Sequence, residues 1–159
     1  MELDNLDRRI LTLFSHHPKI GVLEASRRLG VARGTVQARL DRLQEQGVIS
    51  SWAPSIDPEA LGYPVTAFLT LEIRQGVGHD RVAEHLRGIP EVIEVYTITG
   101  TGDLWCRVVA RSNSDLQRVI DDVVNGPGTE RCSTVISLAT QIPPRVLPLL
   151  SADPALVHG

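Results

Sequence analysis

Between Lys19 and Arg42 the chain gathers side chains whose chemistry suits nucleic acid. Lys19, Arg27, Arg28, Arg33, Arg39 and Arg42 stand there against only Glu24 and Asp41, a local charge of +4, and clustered cations of this kind neutralise phosphates. Arg33, Thr35 and Gln37 add types that read bases. An arginine fork pairs with guanine, a glutamine amide with adenine, and a threonine meets a base edge or a thymine methyl. Small Gly34 and Ala38 between and beside them permit close approach. Arg27, Arg28, Arg39 and Arg42 fall where they would serve as phosphate contacts, which position without specifying, or as ties between helices.

Such residues work only if a helix projects them. Val36, Leu40 and Leu43 recur at i, i+4 and i+7, which predicts a helix over Arg33–Gln46 ending at Gly47 and leaves Arg33, Gly34, Thr35, Gln37, Ala38, Asp41 and Arg42 outward. Val22, Ala25 and Leu29 predict a shorter helix ending at Gly30, and Leu6, Ile10, Leu13 and Phe14 predict another stopping at His16-His17-Pro18. Residues 22–29, 30–32 and 33–46 then have the spacing of a helix-turn-helix, in which the second helix enters the major groove. A small helical bundle with solvated arginines fits the same periodicity, and the pattern alone leaves both open.

Composition restricts the remaining classes. The 159 residues are 42% hydrophobic and 22% charged, with a net charge of −3, as expected of a globular chain of one medium or two small domains. Residues 61–159 carry eight arginines and eleven acids, so the acidic balance lies away from the basic stretch. Cys106 and Cys132 form no C-x-x-C pair and are expected to be buried thiols, with neither a disulfide framework nor a zinc site. His79 and His85 lie six apart and do not share a helix face, and His16 and His17 fall in a turn. All four are expected to be solvated, no metal or cofactor is called for, and no Ser/His/Asp or Cys/His grouping is readable. No apolar run reaches the roughly 20 residues of a membrane span, and the start, Met1-Glu2-Leu3-Asp4, lacks a signal peptide's regions, which points to the cytoplasm.

Past Pro54, Asp57-Pro58 and Gly62-Tyr63-Pro64, which read as a linker, the pattern alternates. Strands are expected at Val65–Ile73, Val92–Thr99, Leu104–Ala110 and Cys132–Thr140, with helices at Asp80–Leu86 and Leu116–Val124. That order, β-α-β-β-α-β, is the split βαβ or ferredoxin-like arrangement. Ser112-Asn113-Ser114-Asp115 supplies a capping box for the second helix. Val65, Ala67, Leu69, Leu71 and Ile73 share one strand face. Thr66, Phe68, Thr70 and Glu72 share the other, which is expected to be covered by a partner. After Gln141, Pro143, Pro144, Pro148 and Pro154 mark a peripheral or partly disordered tail.

Several of these stretches also resemble a known family. Leu3 to Leu11, Leu29-Gly30-Val31, Val36 to Leu43 and Gly47-Val48-Ile49 are similar to the N-terminal half of the leucine-responsive/asparagine-regulator (Lrp/AsnC) family of bacterial and archaeal transcription factors. Pro58 to Gly62 resembles its linker and Gly100-Thr101-Gly102-Asp103 its glycine-aspartate loop. The likeness spans about residues 3–140 in the family's order. It implies an α+β chain with a winged helix-turn-helix domain at 1–50, a linker at 51–62, a ferredoxin-like effector-binding and dimerisation domain at 63–140, and a tail at 141–159. Two departures stand out. Ala32 replaces the family's usual serine, so the recognition helix lacks a side-chain cap, and Arg33 replaces the proline that often follows.

The resemblance further implies dimers that pair through the sheet and assemble into octamers, double-stranded DNA as partner, and an amino acid as effector. The effector's residues carry over to Thr99, Gly100, Thr101, Gly102, Asp103 and Leu104. There, glycine N–H groups would approach a carboxylate and Asp103 an ammonium. A hairpin turn chosen for its backbone explains the same residues. The family's catalytic cousins, the siroheme decarboxylases, supply an enzyme alternative on the same plan. A protein-binding adaptor would leave the basic stripe unexplained.

Overall fold

The computed structural model describes residues 2–151. The chain forms two units, one of residues 2–54 with 142–151 and one of residues 55–141.

The helical unit begins with α1 (Asn5–His16), where Asp4 and Asp7 cap reciprocally. Asp7 N donates to Asp4 Oδ1 at 2.8 Å, and Asp4 N donates to Asp7 Oδ2 at 3.1 Å, satisfying N–H groups that a helix start leaves open. α2 (Val22–Leu29) ends at Gly30, whose φ of +71° is left-handed, a conformation a side chain would oppose. α3 (Arg33–Glu45) starts from Ala32 with no side-chain cap. Ile10, Phe14, Ala25, Leu29, Val36, Leu40 and Leu43 form the core. Residues 51–57 then run in an irregular path, with no ladder among the described residues.

The C-terminal segment, expected to be a peripheral or partly disordered tail, is largely exposed but groups with the helical unit. Residues 142–151 belong to the helical unit, and a 3₁₀ turn, Leu147–Leu150, lies against α1. Arg8 Nη1 donates to the Leu150 carbonyl at 2.5 Å. Leu147, Leu149 and Leu150 line an apolar groove of about 600 Å³ with Leu11, Phe14 and Trp52, Leu147 and Leu150 being half-buried and Leu149 exposed. Residues 152–159, Pro154 among them, lie outside the described residues.

In the second unit β1 (Val65–Ile73), α4 (His79–Arg87), β2 (Val92–Thr97), β3 (Leu104–Ala110), α5 (Asn113–Val124) and β4 (Thr129–Ile136) follow in order. The sheet is antiparallel with strand order β2-β3-β1-β4, the ferredoxin-like topology. β4 begins three residues earlier than the sequence pattern implies and stops four earlier. It pairs with β1, and Pro64, which has no N–H to continue a ladder, precedes β1. β2 likewise stops at Thr97, before the loop. α5 starts from Ser112, whose Oγ accepts from Asp115 N at 3.1 Å, while Asp115 accepts from Arg111 N at 2.9 Å.

One sheet face carries Ala67, Leu69, Leu71, Cys106 and Val108 into a core with Val82, Leu86, Leu116, Val119 and Val123 of the two helices. Burial there pushes the Cys106 thiol up to about 12, whereas Cys132 is only half-buried. His85 departs from the solvated state expected of it. It is half-buried, and its Nε2 lies 2.8 Å from the Asp122 carbonyl near the end of α5. A side chain on Gly126 would strike its ring.

Candidate nucleic-acid interface

α3 divides its polar residues between two directions. Arg39 and Arg42 turn inward to α1. Arg39 Nη1 lies 3.0 Å from Asp7 Oδ1 and Arg42 Nη2 lies 2.6 Å from Asp7 Oδ2, and Arg39 also pairs with Asp4. Asp7 is fully buried, a position a carboxylate tolerates only when paired and hydrogen-bonded. The Asp7 backbone N–H first, and then Arg39, hold the Asp4 carboxyl down to about 2. Of the two roles the sequence left open for Arg39 and Arg42, the structure displays the tie between helices. The sequence reading missed the other half of that tie, Asp4 and Asp7, although Asp-x-x-Asp directly before an apolar helical run was a legible capping signal.

Elsewhere on α3, Arg33, Gly34, Thr35, Gln37, Ala38 and Asp41 are all exposed, with Thr35 one turn before Arg39 on the same stripe. Nothing of the protein lies within 4 Å of where a Gly34 Cβ would be, so the surface is open there. Arg33 makes no ion pair among the described residues, and Gln37 Nε2 donates to Asp41 Oδ1 at 2.8 Å. On α2, Arg28 Nε meets Glu24 at 3.1 Å and Arg27 lies 3.8 Å from the same carboxylate. Exposed pairs of this sort are weak, and both guanidinium groups remain available to phosphate. The exposed residues of α3 can read base edges through Arg33, Thr35 and Gln37, while Arg28 lies apart from them, beside Arg8, Arg9 and Thr12 of α1.

The loop of residues 98–103 joins β2 to β3 in the second unit. Gly100 and Gly102 have φ of +104° and +105°, and a side chain on Gly102 would strike Thr70. Asp103 serves the scaffold. Its N–H donates to the Leu71 carbonyl at 2.8 Å, its carbonyl accepts from Ile98 N at 3.0 Å, and its Oδ2 accepts from Ile73 N at 2.7 Å. Leu104 is buried in the core. Thr99, Gly100 and Thr101 are exposed. The turn role is therefore filled, with Thr99 and Thr101 the loop's exposed side chains and Asp103 half-buried with one carboxylate oxygen engaged.

The sheet face away from α4 and α5 carries aromatics. Phe68 stacks on Trp105 with centroids 5.0 Å apart, Tyr96 lies 5.8 Å from Trp105, and Arg107 pairs with Glu94 at 2.8 Å. Tyr96 and Val135 are more than half exposed. Among the described residues no group of three metal-ligating side chains occurs, and no helix is long and apolar enough to cross a membrane.

A helix-turn-helix unit joined to a ferredoxin-like unit defines a class of regulator in which one domain contacts DNA and the other senses. Residues 3–50 match the winged helix-turn-helix DNA-binding model, and residues 66–147 match the Lrp/AsnC ligand binding domain. The HTH-type transcriptional regulator FL11 of Pyrococcus horikoshii is 33% identical over 147 residues, 92% of this chain and 97% of that protein. AsnC of E. coli superposes with a TM-score of 0.85 at 26% identity, over 93% of this chain and all of the other. A feast or famine regulatory protein from M. tuberculosis, complexed with L-methionine, does so with 0.82 at 25% identity, over 91% and 98%. The chain belongs to the Lrp/AsnC family of transcription regulators. Its relatives are DNA-binding regulators, and the decarboxylase alternative gives way to that identity.

Proposed function

We propose that the protein binds double-stranded DNA in a sequence-specific way through the outward face of α3, and that an amino acid at the loop of residues 99–104 alters its assembly or its affinity. The observation that carries this reading is the division on α3. Arg39 and Arg42 are tied to α1, while Arg33, Thr35, Gln37 and Ala38 are exposed and make no contact with α1 at ion-pair or hydrogen-bond distance among the described residues. Arg27 and Arg28 supply phosphate contacts, and Arg39 and Arg42 act by holding α3 in place. Thr99 and Thr101 offer hydroxyls and Gly100 its backbone to a zwitterion, with Gly102, Asp103 and Leu104 fixing the loop. The aromatic sheet face pairs two copies into a dimer, and dimers assemble further, to an octamer. The L-methionine bound to the M. tuberculosis relative supports the choice of ligand class. A cytoplasmic location accords with a DNA-binding role.

The test has three arms. Duplex binding is titrated at several salt concentrations. Arg28→Ala should reduce the salt slope by about one phosphate contact, and Arg33→Ala should weaken preferred sites most. Wild-type protein that fails to bind duplex at low salt overturns the reading. A thermal-shift screen of the twenty amino acids identifies the effector, since a ligand of the folded state raises its apparent stability. Thr101→Val should abolish that shift while leaving the turn intact. Trp105→Glu, placed on the open sheet face, should convert the assembly to monomer in sedimentation.

A further inference from the structure

We infer that Asp41 is a specificity-determining residue of α3, holding Gln37 in its base-reading orientation while disfavouring DNA of the wrong sequence. The inference rests on the reading of α3 as the recognition helix. Arg33, Gln37 and Asp41 follow at four-residue steps and so lie along one line of the exposed face. Asp41 is exposed and has no basic partner at ion-pair distance among the described residues, where its one side-chain hydrogen bond is the 2.8 Å bond from Gln37 Nε2. All other acids of the unit that meet an arginine do so within their own helix or between α1 and α3.

Two consequences follow from that placement. Gln37 uses one Nε2 hydrogen on Asp41, which leaves Oε1 and the second hydrogen uncommitted, the acceptor and donor that adenine's N6 and N7 require. A free glutamine would lose rotamer freedom on binding, and one already held loses less. The second consequence is electrostatic. Asp41 lies eight residues, about 12 Å of rise, beyond Arg33, past the N-terminal turns that reach bases. A carboxylate there faces the phosphate side and repels it, weakening sequence-independent binding. Discrimination is a difference of affinities, and a repulsive group raises it by penalising every site that lacks the compensating contact.

Asp41→Asn and Asp41→Ala separate the two actions, because asparagine keeps an oxygen for Gln37 and loses only the charge. Full-length protein is used to select sites from a random duplex pool. Affinities are then measured for the selected site, its single-base variants and an unselected duplex, with thermal melting confirming that each variant folds. Gln37→Ala should relax one base position in each half-site, by about 5- to 100-fold. Asp41→Ala should relax the same position and bind the unselected duplex several-fold more tightly. Asp41→Asn should share the tighter unselected binding and keep the base preference. Unchanged preference in Asp41→Ala, or relaxation at a position that Gln37→Ala leaves alone, overturns the inference and leaves the DNA reading standing. A wild-type protein that enriches no site overturns the DNA reading and the inference together.

Discussion

The two units stabilise themselves by different means. The sheet unit encloses thirteen buried apolar residues between its sheet and two helices. The helical unit has seven, with eight more partly buried around them, and it adds a fully buried carboxylate, Asp7, gripped by two arginines of α3. The comparison explains why arginines on a recognition helix need not all serve DNA. Where the apolar core is small, part of the helix's charge fixes the helix itself. Each unit carries its own reporter of this difference: Trp52 packs edge-on against Phe14 at 5.8 Å, and Trp105 stacks on Phe68.

The largest effect is expected in the sheet unit. Leu69 is fully buried at the centre of that core, and Leu69→Ala should cost about 3 kcal/mol through lost burial and the cavity left behind. Denaturation followed through Trp105, in a Trp52→Phe background, measures it. A loss under about 1 kcal/mol would mean that the core repacks freely and that the contrast with the helical unit is overstated.

Asp7→Ala tests the other side. It removes two charge-assisted bonds and one arm of the capping box, and should cost about 2–3 kcal/mol in the transition followed through Trp52. Arg39 and Arg42, at 28% and 41% side-chain exposure, can turn to water once freed, which keeps the loss below that of stranding a buried charge. If the Trp52 transition does not move, the seven apolar residues suffice and the tie is incidental.

Acid should discriminate more finely. Asp4 is held down to about 2, by the Asp7 N–H and then by Arg39. A carboxyl lowered on folding contributes stability that is present above its ordinary value of 3.8 and is lost as pH falls from there toward 2. Asp4→Asn should flatten the pH dependence of the Trp52 transition across that window. In the sheet unit Asp115 is likewise lowered, by the Arg111 N–H and by Arg118, so the Trp105 transition should keep its own acid sensitivity in the Asp4→Asn variant.

Most of the architecture was legible because its signals were periodic. The three helices, the strand-helix alternation and the Ser112 cap follow from spacing and composition over a few residues. What was not legible depended on partners far apart in sequence. Asp7 meets Arg39 and Arg42 across 32 and 35 residues, and Arg8 meets Leu150 across 142, so a proline-rich segment that reads as a tail proves to be part of the helical unit. Asp103 shows the same gap in the loop of residues 98–103: its type suits an ammonium partner, while its Oδ2 accepts from Ile73 N, 30 positions upstream. Residue type announces what a side chain can bind, and only the fold decides which partner it meets first.

The smallest change bears most directly on the recognition helix. Ala32 has the extended backbone of an N-cap, φ −64° and ψ 146°, but no side-chain oxygen to offer the first turn of α3. Thr35 N reaches back to the Ala32 carbonyl at 3.0 Å instead. Ala32→Ser places a hydroxyl where it can accept from that turn, and should stabilise the helical unit by about 0.5–1 kcal/mol, read through Trp52 with the Trp105 transition unmoved. Because Arg33, Gly34 and Thr35 all lie in the turn being capped, a gain in stability should bring a modest gain in site affinity as their backbone is held before DNA arrives. A stability gain without an affinity gain would place the limiting disorder in the side chains, and would make the Gln37 and Asp41 pair, rather than the missing cap, the feature that sets how well this helix reads a sequence.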